Sequence, residues 1–179
     1  MSGIYFIRHG ESQANAHGIC AGQSESPLTQ QGRHQAAQAA QFAIAQRLKF
    51  DIILCSPIGR TRTTADIIAS AIGYKRKIVY LDDLKERFCG DFQGGPNSAY
   101  YAAPETLSSR EMHVESIGDM KKRAERIKTY VHTHYPDKTV LLVSHSGFGK
   151  MLRIAFADHS IDEYDKTDQL PNASLIRFS

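Results

Sequence analysis

Ile4-Tyr5-Phe6-Ile7 runs without a charged residue and stops at Arg8-His9-Gly10. Four β-forming residues with no helical period read as a strand buried on both faces, because a strand with one face in water would alternate. The same pattern recurs outward from this stretch. Asp51-Ile52-Ile53-Leu54-Cys55 ends at Ser56-Pro57, and Thr139-Val140-Leu141-Leu142-Val143 ends at Ser144-His145-Ser146-Gly147. Lys77 to Leu81 and Ser174 to Phe178 read as two further strands. Helical patterns lie between them. Thr29 offers an N-cap to an Ala- and Gln-rich helix reaching about Lys49. Ser56-Pro57 reads as an N-cap followed by a first-turn proline, heading a helix to about Ile72. Glu115 to His134 and Phe148 to Ala157 are the remaining helices, and Asp82 to Gly95 is a turn-rich loop. Strands alternating with helices imply an α/β fold with a largely parallel sheet covered on both faces.

With 179 residues, 41% hydrophobic and 23% charged, the chain suits one globular domain over 1–179 whose core needs neither disulfides nor a structural metal. No internal repeat or long linker divides it, and a short cap segment is expected at about 94–114. The balance of 22 basic and 19 acidic residues leaves a net charge of +3, and Lys75-Arg76-Lys77 lacks interleaved aromatics, so no nucleic-acid partner is expected. Cys20, Cys55 and Cys89 are odd in number with no close pair, which argues against a disulfide framework or a Cys-type zinc site and suits a reducing cytoplasm. The apolar run before Arg8 is too short for a signal peptide or a membrane span, so a soluble cytoplasmic protein without a membrane partner is expected. No pattern points to a particular oligomeric state.

In open parallel sheets, ligands bind where the carboxyl ends of the strands meet. The first strand delivers Arg8 and His9 there, the second Arg60 on the first turn of its helix, the third Glu86 and the fourth His145. Two planar guanidiniums suit phosphate or carboxylate, and the helix N-terminus after Ser56-Pro57 adds oriented N–H groups, so the pocket should prefer a small oxyanion. Taken singly, each residue has a plainer reading. A lone histidine is ordinarily structural or superficial, and Glu86 sits among Asp82, Asp83, Lys85 and Arg87, where a solvated acid is the default. Arg60 competes with Arg62, which points another way on a helix. His132 and His134, two residues apart, are badly spaced to share a metal.

Arg8-His9-Gly10-Glu11-Ser12 with Asn15 resembles the signature of the histidine phosphatase superfamily, which includes the cofactor-dependent phosphoglycerate mutases. The similarity continues in order through Ser26-Pro27-Leu28-Thr29 with Gly32, Ser56 to Thr61 with Thr64-Ala65, Leu84-Lys85-Glu86 with Gly90, and Val143 to Gly147. It implies a three-layer α/β/α fold of the phosphoglycerate mutase type and an enzyme of the histidine acid phosphatase type. His9 would be the nucleophile, Arg8, Arg60 and His145 would hold the phosphoryl group, and Glu86 would donate a proton. Asn15 would join the phosphate contacts. Phe92, Gln93 and Ser146 depart from the commonest pattern and bear on substrate preference.

The chemistry asks for these residue types. Phosphoryl transfer needs an in-line nucleophile, neutralisation of spreading charge and a proton for the leaving oxygen. His9 attacks as a neutral imidazole, and Arg8 and Arg60 beside it disfavour a further positive charge. The two-step covalent route requires no cofactor and no metal, and no cluster has metal-ligand spacing. The partner is a small phosphorylated substrate. Among the 20 residues between Gly94 and Glu115 only Arg110 is Lys or Arg, and seven residues follow Asn172, which favours a phosphatase over a mutase that must hold a second phosphate and exclude water. Tyr100, Tyr101 and Met112 offer either an apolar wall for the substrate or a helical cap. The rival readings are a 2,3-bisphosphoglycerate-dependent phosphoglycerate mutase and a non-catalytic module that binds a phosphorylated partner.

Overall fold

The computed structural model of the protein describes residues 3–103 and 110–178. Five strands, β1 (Gly3–Arg8), β2 (Ile52–Cys55), β3 (Val79–Tyr80), β4 (Thr139–Ser144) and β5 (Leu175–Arg177), form one sheet in the order β3-β2-β4-β1-β5. The first four are parallel and β5 runs antiparallel to β1. Successive residues of each central strand enter opposite cores. Phe6, Leu54 and Leu142 pack on one face, while Ile7, Ile53 and Leu141 pack on the other. That is why these strands are apolar throughout rather than alternating.

Helices α2 (Gln30–Ala45) and α3 (Gly59–Ala71) cover the second face through Ala40, Ala43, Ala65 and Ile68. Helices α5 (Ile117–His134) and α6 (Ser146–Phe156) cover the first through Met120, Ile127, Phe148 and Leu152. Two short helices, α1 (Gln13–Ala16) and α4 (Asn97–Ala102), follow the site loops. The three layers expected from the sequence are present. Of the expected cap, α4 and 110–114 are described, and 104–109 lie outside the described residues.

Two local expectations change. Thr29 caps α2, its hydroxyl accepting from Gly32 N at 2.9 Å, as its sequence context predicts. Ser56 does not cap α3. The cap position is Ile58, and the Glu25 carboxylate from a distant loop accepts the Gly59 N–H at 3.0 and 3.2 Å, where it also complements the helix dipole. Ser56 Oγ lies instead 2.9 Å from His145 Nε2. The first amide of α3 is therefore already engaged and does not serve as a donor for the oxyanion. The third strand shrinks from five expected residues to two, because it sits at the sheet edge and pairs only with β2.

Candidate active site

The strand register decides the site. Arg8 pairs with Ser144 in the β1–β4 ladder, so His9 and His145 each stand one residue past neighbouring strands, with ring centroids 5.2 Å apart. His9 N–H still donates to Ser144 O at 3.0 Å, which continues the ladder through the first histidine. The turn after His9 requires glycine, since a Cβ on Gly10 would lie 2.1 Å from the backbone oxygen of Gly32 at the head of α2. Asn172 pins the same loop by donating its amide to His9 O at 2.9 Å.

His9 Nδ1 lies 2.7 Å from the Gly10 carbonyl, which can only accept, so this nitrogen carries the proton and the lone pair resides on Nε2. Arg60 Nε donates to that Nε2 at 3.1 Å. The rest of the Arg60 fork is anchored by Ser24 O at 2.8 Å and Gly22 O at 2.6 Å. Arg8 donates one terminal nitrogen to Leu170 O at 2.8 Å. Burial holds His9 well below the usual histidine range, and Arg60 and Arg8 push the same way. The expectation of a neutral His9 stands, with desolvation ahead of the two arginines as its cause. His145 is held low for the same first reason.

Among the described residues, two buried side-chain nitrogens lack a hydrogen-bond partner, Arg8 Nε and His145 Nδ1. Such a group costs about 1–3 kcal/mol, so two of them flanking one imidazole mark a place for a ligand. Neither Arg8 nor Arg60 forms an ion pair among the described residues, although burial pulls the pKa of both guanidiniums down. Buried positive charge without a paired carboxylate calls for an anion.

Glu86 is built in from several sides. Its carboxylate accepts from Arg87 N at 2.9 Å, Phe148 N at 2.7 Å and Gly147 N at 3.1 Å, the last two at the head of α6. A Cβ on Gly147 would sit 2.9 Å from Glu86 Oε1, so glycine there lets the carboxyl dock. Arg123, buried on α5 with its guanidinium 3.9 Å from the Phe148 ring centroid, holds the loop before Glu86. It donates to Asp83 O and Lys85 O at 2.8 and 2.6 Å and pairs with Glu115 at 2.7 Å.

A cavity of about 450 Å³ opens over these groups, and Arg8, His9, Asn15, Arg60 and Glu86 line it. His145, wholly buried, sits behind the wall against the His9 ring. All six residues singled out from the sequence thus gather at one place. Arg62 does not, its guanidinium lying over the Tyr80 ring at 5.4 Å. His134 bonds Tyr130 O on its own helix. The sequence reading missed Arg87, Lys150, Tyr164 and Gln169, which also line the cavity. Lys150 carried one faint signal, its place one turn beyond Gly147. Cys20 and Cys89, far apart in sequence, both line the cavity, and all three cysteines are free.

The sequence model of the histidine phosphatase superfamily (branch 1) matches residues 4–179. The chain belongs to this superfamily. It is 31% identical over 146 residues to Uncharacterized phosphatase PhoE of Bacillus subtilis (strain 168), covering 81% of this chain and 72% of that protein. It is 50% identical over 70 residues to Probable phosphoglycerate mutase GpmB of Escherichia coli, a match spanning 39% of this chain and 32% of that protein. Among solved structures, mycobacterial glucosyl-3-phosphoglycerate phosphatase in complex with VO3 superposes with a TM-score of 0.84 at 25% identity, over 98% of this chain and 91% of that one. No helix of the described residues is long and apolar enough to cross a membrane.

Proposed function

We propose that this member of the superfamily is a phosphomonoesterase of the histidine acid phosphatase type that works without a metal through a phosphohistidine on His9. The observation that carries the reading is a neutral, buried imidazole whose lone pair faces Arg60 at 3.1 Å, with Arg8 beside it and Glu86 in the same cavity wall. His9 Nε2 forms the bond to phosphorus while the bond from phosphorus to the leaving oxygen breaks, and Glu86 gives that oxygen its proton. The ring becomes cationic, and its Nδ1–H bond to Gly10 O at 2.7 Å takes up part of the charge. Arg8 and Arg60 hold the phosphoryl oxygens with Asn15, and His145, behind the wall against the His9 ring, offers its unpartnered Nδ1 from there. In the second step the Glu86 carboxylate takes a proton from water, the hydroxide equivalent forms a bond to phosphorus and the P–N bond breaks, releasing inorganic phosphate. Three free thiols suit a reducing cytoplasm as the setting.

A panel of phosphorylated metabolites assayed for phosphate release, with a rapid quench for an acid-labile, base-stable phosphoenzyme, tests this. Phosphate release together with a phosphoenzyme that is missing in His9→Ala supports the reading. Interconversion of 2- and 3-phosphoglycerate dependent on 2,3-bisphosphoglycerate, with no phosphate released, would assign the mutase reaction suggested by the GpmB match. Phosphate affinity with no phosphoenzyme from any compound would leave a binding module.

A further inference from the structure

Lys150 is an ammonium placed where its solvation is poor and its charge unmatched. It lies on α6, is only 8% exposed, and lines the cavity that holds His9 and Glu86. Lysines ordinarily run their stems along apolar surface and leave the head in water. Here Nζ sits 4.4 Å from the centroid of the Tyr164 ring. Among the described residues it makes no ion pair and no hydrogen bond. Asp165, which also lines the cavity, and Asp168 act on its charge from beyond ion-pair distance, while burial pulls its pKa down. Gln169 is already committed, accepting from Ser146 Oγ at 2.8 Å and donating to Tyr101 OH at 3.2 Å.

The place of this charge along the cavity follows from the helix. Lys150 is three residues after Gly147, so the two share a face of α6, and helical side chains lean back over the preceding turn. Gly147 N holds the Glu86 carboxylate at 3.1 Å, and a Cβ on Gly147 would lie 3.3 Å from Tyr164 OH. Glu86, Gly147, Tyr164 and Lys150 therefore share one stretch of the cavity wall. A substrate whose leaving oxygen meets Glu86 extends into the same cavity that Lys150 lines.

We propose that Lys150 is the centre of a second anion subsite, which selects phosphomonoesters whose leaving group carries a carboxylate or a second phosphate. This rests on the phosphatase reading for its kinetic readout and extends it to a substrate class. The charge-bearing oxygen would take the unpaired ammonium, with the Tyr164 ring behind it.

The test compares 3-phosphoglycerate with glycerol 3-phosphate, which differ by a carboxylate against a neutral hydroxymethyl, and adds propane-1,3-diol bisphosphate as the phosphate source of the second anion. The wild type should favour the anionic substrates in kcat/KM by roughly 10- to 100-fold, as expected for a charged hydrogen bond in a poorly solvated site. Lys150→Met should collapse that ratio towards one, mainly through KM, and Lys150→Arg should keep most of it. Whichever anionic substrate keeps the larger ratio identifies the anion. A wild type with no preference, or a Lys150→Met ratio equal to that of the wild type, overturns the subsite. Calorimetric titration of His9→Ala and His9→Ala/Lys150→Met with 3-phosphoglycerate and glycerol 3-phosphate separates the two readings. A Kd gap that depends on Lys150 without any phosphate release keeps the subsite and removes the phosphatase. Phosphate release without the gap does the reverse.

Discussion

The two ends of the cavity are built differently. At the phosphoryl end, His9 and His145 sit off adjacent parallel strands, Ser56 off the next one braces His145, and His9 and His145 are 3% and 0% exposed. Every ring and guanidinium there is tied to backbone or to another buried group. At the leaving-group end the wall comes from α4, one face of α6 and the connection after it, and Tyr101 is 64% exposed. Its contacts include side-chain pairs such as Gln169 to Tyr101 and Arg87 to Tyr100 OH at 3.1 Å. On the proposed function, the difference separates bond making, which needs groups held within fractions of an ångström, from recognition, which is carried by loops that vary without disturbing the sheet.

The contrast can be broken most sharply at the rigid end. His9→Ala should lower kcat by about 10⁴-fold or more on every phosphomonoester while leaving the thermal unfolding transition cooperative. Steady-state phosphate release checks this, and activity within tenfold of wild type would show that another group attacks. Glu86→Gln stands at the boundary between the two ends. It should cost about 10²–10⁴-fold in kcat for alkyl phosphates and far less for p-nitrophenyl phosphate, whose oxygen leaves without help. A loss equal for both would remove Glu86 as the proton donor.

The smallest effect is a pH dependence confined to the rigid end. Both histidines are held well below the usual range when folded, first by burial, whereas the unfolded chain protonates them near 6.5. Below about pH 6.5 the unfolded state binds more protons than the folded one, so this contribution to stability is complete above that pH. It falls towards the depressed folded-state values at up to about 1.4 kcal/mol per pH unit for each histidine. Urea midpoints at pH 7.5 and 5.5 should differ in that direction, and by less in His145→Asn. Equal midpoints would contradict neutral buried imidazoles. For the same reason the acid limb of kcat/KM due to His9 should lie well below pH 6.5.

Much of this was readable along the chain. Apolar runs that stop at Arg8-His9, Ser56 and Ser144-His145 mark buried strands ending at polar work, and Thr29 caps its helix as its type predicts. The cap of α3 was misread because Ser56 has the right local form, yet its hydroxyl is taken by a histidine 89 positions away. The unpaired ammonium of Lys150 and the meeting of Cys20 and Cys89 in one cavity wall were invisible for a related reason, since neither has a local pattern.

The amino-acid order by itself determined the layers, the strand ends and which residue types stand there, because burial on both faces and helical period are short-range properties of the chain. Only the folded sheet decided that β4 lies between β2 and β1, which sets His145 beside His9 and both within reach of Arg60, and that α6 turns Lys150 into the same cavity. Those adjacencies join residues far apart in sequence through strand pairing and core packing, and no window of the chain encodes them.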